Sequence, residues 1–244
     1  MILHITQKCF MNCNHCMMES SPNGEHMSLH TFAAALEFIK KIKPQLLVIS
    51  GGEPTEHPYF FDILDECTKL MGLNRVVVTS NGMFLDNKKF TKRLINKKVQ
   101  VQITNDRRFY PKNINKVANK RFTYTDRLES VTNYGRAKMN GIADKTNYAP
   151  KCYNILSVAR QCDSLQETMQ IIEGQIHKFC GLGIETDGQI RVGESIQCKK
   201  LGNILIDNEE TIFNNMKVTT PGNCNKCGTY DNLDVMHKLM LELR

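Results

Sequence analysis

No apolar run in the chain approaches the roughly 20 residues needed to cross a bilayer, which excludes a helical membrane span. A signal peptide is lacking too: Ile2 to Thr6 reads as a strand that begins at once and runs into a cysteine-bearing loop. A cytoplasmic location is therefore expected. In that reducing compartment, ten cysteines in 244 residues point to metal or redox chemistry, not to disulfides. A fourth thiol is also missing beside Cys9, Cys13 and Cys16. A structural zinc site takes four protein ligands, and iron–sulfur clusters are usually held by four cysteines. Three clustered thiolates, which are soft ligands, suggest a cluster with one iron open. A zinc knuckle completed by His15 or a distant ligand uses the same residues.

The composition is that of a globular protein, with 41% hydrophobic and 23% charged residues. At this length it allows one well-cored domain and a small appendage. The net charge of +7 is uneven. Asp86 to Arg121 carries twelve Lys and Arg against two Asp. Such a segment can draw acidic substrates, phosphates or nucleic acid, or can be a solvated helix face and basic loop.

Strand and helix patterns alternate. Ser28 is a plausible N-cap for a helix to about Lys43, ended by Pro44. Gln45 to Ser50 is a continuous apolar run of the kind found in buried parallel strands. Pro58 opens a helix to about Met71, and Cys67 on it is expected in the core. Arg75 to Thr79 forms a strand, Asp86 to Lys98 a basic helix with Phe90, Leu94 and Ile95 inward, and Val99 to Thr104 a strand. Arg121 to Thr125 is expected as a fifth strand and Asn154 to Ala159 as a sixth. This order predicts a parallel α/β sheet with its chemistry at the carboxyl ends of the strands. Cys9 to Cys16, Gly51 to Glu53, Ser80 to Gly82 and Thr104 to Asp106 each follow a predicted strand, so four loops should converge on one rim. That convergence argues for an enzyme.

The Cys-x3-Cys-x2-Cys spacing of Cys9, Cys13 and Cys16 resembles the radical S-adenosylmethionine superfamily. The resemblance implies a partial (β/α)6 TIM-like barrel over residues 1–150 and a [4Fe–4S] cluster whose open iron chelates S-adenosylmethionine. Reductive cleavage of the carbon–sulfur bond would give a 5′-deoxyadenosyl radical, with the electron from a flavodoxin- or ferredoxin-like donor. Gly51-Gly52-Glu53-Pro54 resembles the family's second motif. Its glycines let backbone carbonyls approach the cationic methionine amine, and its glutamate faces the same amine. Ser80 and Asn81 look like the turn that holds the adenosyl group, although Asn-Gly is also an ordinary turn. Thr104 could bind the ribose or substrate, or cap a turn. His15 is read as packing against the adenine side. Residues 134–137, Tyr-Gly-Arg-Ala, resemble a segment near the barrel end of many peptide-modifying members.

Six cysteines fall in the last hundred residues. Cys180 and Cys198 flank a predicted hairpin, Gly183 to Val192, centred on Asp187-Gly188. Together with Cys224 and Cys227 they make four ligands, enough for zinc or a [4Fe–4S] cluster. With Leu201 to Ile204, residues 151–244 resemble a cysteine-rich α+β extension of the SPASM/twitch kind, which binds an auxiliary cluster. The absence of cysteine after Cys227 fits the shorter twitch form. Gly193 stands five residues after Gly188, where many members have cysteine, so the register is ambiguous. Cys152 could replace Cys180, and Cys162 could be a spare thiol or face substrate. By resemblance, the substrate expected is a peptide or protein. The alternatives are a nucleoside, tRNA or small alcohol, the nucleic-acid version resting on the basic segment with Phe90, Phe109 and Tyr110 interleaved. A metal-binding scaffold without activity is the non-enzymatic reading.

Overall fold

The computed structural model describes residues 1–44, 46–105, 115–125, 131, 135–142, 182–192 and 200–217. Cys152, Cys162, Cys180, Cys198, Cys224, Cys227, the strand expected at 154–159, Asp106, Phe109 and Tyr110 lie outside the described residues.

The chain opens with β1 (Ile2–His4), shorter than expected because Thr6 leaves the sheet to bridge His26. Helix α1 (Leu29–Ile42) begins where Ser28 caps it, the Ser28 hydroxyl accepting from the Thr31 N–H at 3.0 Å. Next come β2 (Leu47–Ser50), α2 (Phe60–Met71) and β3 (Val76–Ser80). Helix α2 starts two residues later than Pro58, because His57 holds the entry turn. Its Nδ1 accepts from the Tyr59 N–H at 3.1 Å, and its Nε2 meets the Met27 carbonyl at 3.0 Å. A 3-10 turn, Met83–Asp86, occupies the start expected for the basic helix. Asn87 then caps α3 (Lys88–Asn96) through the Phe90 N–H at 3.1 Å. Strands β4 (Gln100–Thr104) and β5 (Phe122–Thr125) follow, then α4 (Gly135–Met139), β6 (Leu182–Ile184), β7 (Gln189–Val192), β8 (Lys200–Asn203) and α5 (Glu209–Lys217).

These strands form one sheet in the order β5-β4-β3-β2-β1-β6-β7-β8. The six from β5 to β6 are parallel, the sheet of a partial (β/α)6 barrel. The sixth parallel strand among the described residues is Leu182–Ile184, beside β1. The hairpin centred on Asp187-Gly188 is present, with β7 antiparallel to β6 and β8 antiparallel to β7, so it continues this sheet.

Burial alternates along β2 and β3, unlike the continuous burial expected of β2. Leu47 and Ile49 are fully buried, while Val48 and Ser50 are only partly so. One face of the sheet (Leu3, Ile49, Val78, Ile103, Ile184) packs on Ile39, Ile63, Leu64 and Leu94 of the helices. Each such side chain contributes about 1.5–3 kcal/mol. Cys67 lies in this core, as expected. Since side chains alternate across a strand, the opposite, inner face carries His4, Ser50, Thr79, Gln102, Thr104 and Arg191. Parallel strands are usually apolar on both faces. Here the inner face turns from apolar at Ile2, Val48 and Val77 to polar toward the carboxyl ends of the strands, as the wall of a binding cleft would.

Phe90 packs among Phe60, Phe61 and Phe84. It thus faces inward, as expected from its place on the basic helix. Lys88, Lys89 and Lys92 form an exposed helix face, bordering a groove of about 470 Å³ that is also lined by Lys116.

Candidate metal centre

The Cys9–Cys16 loop leaves β1 at the carboxyl rim of the sheet, and all three thiols are half-buried. Its stem is held by hydrogen bonds from Gln7 N to Glu25 O (2.7 Å) and Cys9 N to Ser21 O (2.9 Å). Gly51 and Gly52 lie directly against that stem. Gly52 N donates to Thr6 O at 2.6 Å and Glu53 N to Lys8 O at 2.8 Å. A Cβ on either glycine would overlap the carbonyl oxygen of Thr6 or Lys8, and Gly51 has φ +140°. Backbone packing against the cysteine-loop stem thus by itself requires glycine at this turn.

Glu53 is buried and ties three loops together. One carboxylate oxygen accepts from the Thr55 hydroxyl (2.6 Å), Thr55 N (3.2 Å) and the Ser80 hydroxyl (2.8 Å). The other accepts from Asn81 N at 2.7 Å. Three of these four bonds fall on one oxygen, so Oε2, with the Asn81 N–H alone, keeps an acceptor position. Burial pushes its pKa above the usual carboxylate range, against the pull of those hydrogen bonds. Asn81 in turn directs its side-chain amide at Cys9 Sγ, 3.7 Å away. Cys9, Gly51, Gly52, Glu53, Ser80 and Asn81 therefore form one connected rim. Thr104 ends β4 opposite Thr125, one strand beyond β3, with no hydrogen bond to that rim among the described residues. His15 is half-buried on the cysteine loop.

The role of Arg136 could not be read from sequence. Its guanidinium donates to Cys13 O at 3.0 Å, to Asn12 Oδ1 and to Ser20 O, and its backbone N–H donates to Cys16 O at 3.0 Å. Asn140 adds a bond to Asn14 O at 2.9 Å. Gly135, at φ +50°, sits so close that a Cβ would stand 2.6 Å from Cys16 O. The short helix α4 thus clamps the whole cysteine loop. The only signal was the resemblance of residues 134–137 to a family segment, which named no contact.

Burial pushes the Cys9 thiol up to about 12, opposed by the Met11 N–H and reinforced by the charges of Glu53, Glu56 and Cys13. A thiolate there needs positive charge beside it, which a bound metal provides. Among the described residues no three His, Cys, Asp or Glu side chains are grouped closely enough to hold a metal ion. The sulfurs would draw together on binding. The donor set fits an iron–sulfur cluster with one open position: three soft thiolates on one clamped loop, an amide facing one of them, and no fourth cysteine on that loop.

A parallel α/β sheet with a three-thiol loop at its carboxyl rim defines a class of metal-dependent enzyme. A family model for the radical SAM superfamily matches residues 3–149, and the chain belongs to that family. A GTP 3′,8-cyclase of Aquifex aeolicus is 24% identical over 181 residues, covering 70% of this chain and 55% of that protein. The human molybdenum cofactor biosynthesis protein 1 is 28% identical over 87 residues, 34% of this chain and 14% of that protein. The chain thus spans about half the length, or less, of these curated relatives. Among solved structures, BtrN in complex with AdoMet and 2-DOIA superposes with a TM-score of 0.63 at 14% identity, covering 93% of this chain and 89% of that one. Native anSMEcpe with bound AdoMet and Cp18Cys peptide gives 0.50 at 15% identity, covering 94% and 86%. Among the described residues no helix is long and apolar enough to cross a membrane.

Proposed function

We propose that this radical SAM enzyme abstracts a hydrogen atom from a peptide or protein substrate in the cytoplasm, using an electron from a flavodoxin- or ferredoxin-like donor. The observation that carries the reading is the rim. Arg136 clamps a three-thiol loop beside Gly51–Glu53, so Cys9, Cys13 and Cys16 would hold a [4Fe–4S] cluster with one open position. When bound, that cluster supplies the electron that cleaves the carbon–sulfur bond of S-adenosylmethionine, giving methionine and a 5′-deoxyadenosyl radical. The chain's own residues set the geometry: Gly51 and Gly52 bring the second loop against the first, and Glu53 locks it to Ser80 and Asn81. Residues 151–244 supply β6 of the barrel sheet and are otherwise assigned as a twitch-like extension in which Cys180, Cys198, Cys224 and Cys227 hold an auxiliary cluster. His15, Ser80, Asn81 and Thr104 are assigned to the adenosyl end of the ligand. A small polar substrate is the second reading, favoured by the polar inner face and by relatives named as GTP cyclases.

Anaerobic reconstitution, with dithionite and S-adenosylmethionine, tests both levels. About eight irons per chain are expected from two clusters, together with 5′-deoxyadenosine. Cys9→Ala should remove about four irons and all of that product. A double Cys224→Ala, Cys227→Ala variant should retain about four irons and still cleave S-adenosylmethionine. Zinc in place of iron and no deoxyadenosine would overturn the reading, and an unchanged iron count in the double variant would remove the auxiliary cluster.

A further inference from the structure

Two buried polar side chains stand side by side on the inner face without the partners that buried groups nearly always have. His4 is 2% exposed and neither of its ring nitrogens makes a hydrogen bond. Glu185 is 4% exposed, and its Oε1 accepts none. The sheet register brings them together: Leu3 pairs with Ile184, so His4 and Glu185 are the next residues on adjacent parallel strands. Neighbouring strands lie about 4.8 Å apart. Both residues are held in place. Glu185 Oε2 accepts from Gln7 Nε2 at 3.3 Å, and Arg191 Nε lies 3.7 Å from Oε1 as an ion pair. Gln7 is itself bonded by the Ser20 hydroxyl at 3.3 Å, which links this corner to the clamped cysteine loop.

Both His4 ring nitrogens lack a hydrogen bond, and Glu185 Oε1 has only the ion pair with Arg191 at 3.7 Å; buried polar atoms left so are costly for a fold to carry with no return. Orphans of this kind call for an explanation. Burial also keeps His4 neutral at neutral pH, lowering its pKa to about 4, with Arg191 adding to the effect. A neutral imidazole offers one donor and one acceptor, and Glu185 Oε1 is an acceptor. With the Glu185 carboxyl raised by burial to about 7, both its protonation states are populated at neutral pH; its ionised form would repel a phosphate or carboxylate, and a carbonyl would leave Oε1 of that form unsatisfied. A hydroxyl suits both residues, since it can donate to the carboxylate while accepting from the imidazole.

We infer that His4 and Glu185 form a substrate anchor for a hydroxyl group, with Gln7 and Arg191 holding Glu185 in place. This rests on the radical SAM reading above and narrows its substrate to a hydroxyl-bearing molecule. The anchor lies five residues from Cys9 along the chain, at most about 17 Å, so the anchored molecule would sit beneath the cysteine loop. A seryl side chain of a peptide and a ring hydroxyl of a small polyol share this chemistry.

The test uses the reconstituted holoenzyme with S-adenosylmethionine and ligand-observed NMR at millimolar probe concentration. One arm compares N-acetyl-Ala-Ser-Ala-amide with its Ala-Ala-Ala counterpart. The other compares scyllo-inositol with cyclohexane-1,2-diol. In one arm the more hydroxylated probe should bind at least tenfold tighter, and that arm identifies the source. Glu185→Gln and His4→Phe should each abolish the preference. His4→Phe replaces an unsatisfied buried group with an apolar one, so its Tm should hold or rise. Absence of a hydroxyl preference in both arms, a preference that survives in both variants, or a sharp fall in Tm for His4→Phe would overturn the anchor. Formation of 5′-deoxyadenosine by the wild-type enzyme is measured in the same samples. Its presence without a hydroxyl preference refutes the anchor alone, whereas its absence refutes the underlying reading.

Discussion

Substituting Glu185 by Gln should unmask the titration of His4 and change how stability depends on pH. Burial raises Glu185 from 4.5 to about 7, with Arg191 opposing and Asp187 reinforcing. Burial, then Arg191, lowers His4 from 6.5 to about 4. In the unfolded chain both return to their ordinary values. The raised carboxyl therefore contributes stability that is fully present below pH 4.5 and is lost as pH rises to 7. The lowered imidazole contributes stability that is fully present above pH 6.5 and is lost as pH falls to 4. At about 1.4 kcal/mol per unit, each is worth about 3 kcal/mol over its window. Between pH 5 and 6.5 the two trends oppose and nearly cancel. From pH 5 to pH 6.5 the stability of Glu185→Gln should rise by about 1.5–2 kcal/mol more than that of wild type does, and the stability of His4→Phe should decline by a similar amount over the same rise in pH. With an m-value of about 2 kcal/mol per molar urea, that is a midpoint shift of about 0.8 M. Anaerobic urea unfolding followed by far-ultraviolet circular dichroism measures it. The variant-minus-wild-type difference at each pH cancels any cluster contribution common to both. Variant curves parallel to wild type from pH 5 to 6.5 would refute the reasoning.

Three further perturbations address the rim. Gly52→Ala should lower stability by about 1–3 kcal/mol and reduce iron retention after desalting, because its Cβ would strike the Lys8 carbonyl; unfolding and iron assays together check this. In Glu53→Gln, either amide orientation sets an N–H against the backbone N–H of Thr55 or Asn81. A cost of about 1–3 kcal/mol is expected in urea unfolding. Arg136→Ala removes three hydrogen bonds to the cysteine loop and should broaden the electron paramagnetic resonance signal of the reduced cluster and speed iron loss to a chelator. Arg136→Lys should recover part of both.

Much of the fold was legible because local chemistry and tertiary structure agree. Ser28 caps α1, Leu94 faces the core, and the Asp187-Gly188 turn closes a hairpin. Element starts were misjudged where a side chain intervened, as with His57 before α2 and the 3-10 turn before α3. The partnering of β6 with β1 could not be read, since nothing local in Leu182–Ile184 indicates a neighbour 180 residues away. At the site, residue types announced the thiols, the glycines and Glu53 but gave only part of their roles. Gly51 and Gly52 also serve backbone packing, and Glu53 also ties its own turn to the Ser80–Asn81 loop. Arg136 and the His4–Glu185 pair were missed because their meaning lies in contacts between segments far apart in the chain.

The parallel pairing of β1 with β6 also sets a schedule for biosynthesis. Strand β1 carries the cysteine loop, yet one of its edges is completed by residues 182–184. At about 5–20 residues per second, those residues leave the ribosome roughly 10–40 s after β1. Through that interval β1 offers an open edge of unpaired backbone groups, which can template wrong strand pairing. Loading iron before the hairpin docks would therefore act on an unfinished sheet. Pulse-labelled chains should resist proteolysis near Cys9 only once Val192 has been synthesised, and equal resistance in chains stopped at residue 142 would show that β1 matures without its late partner.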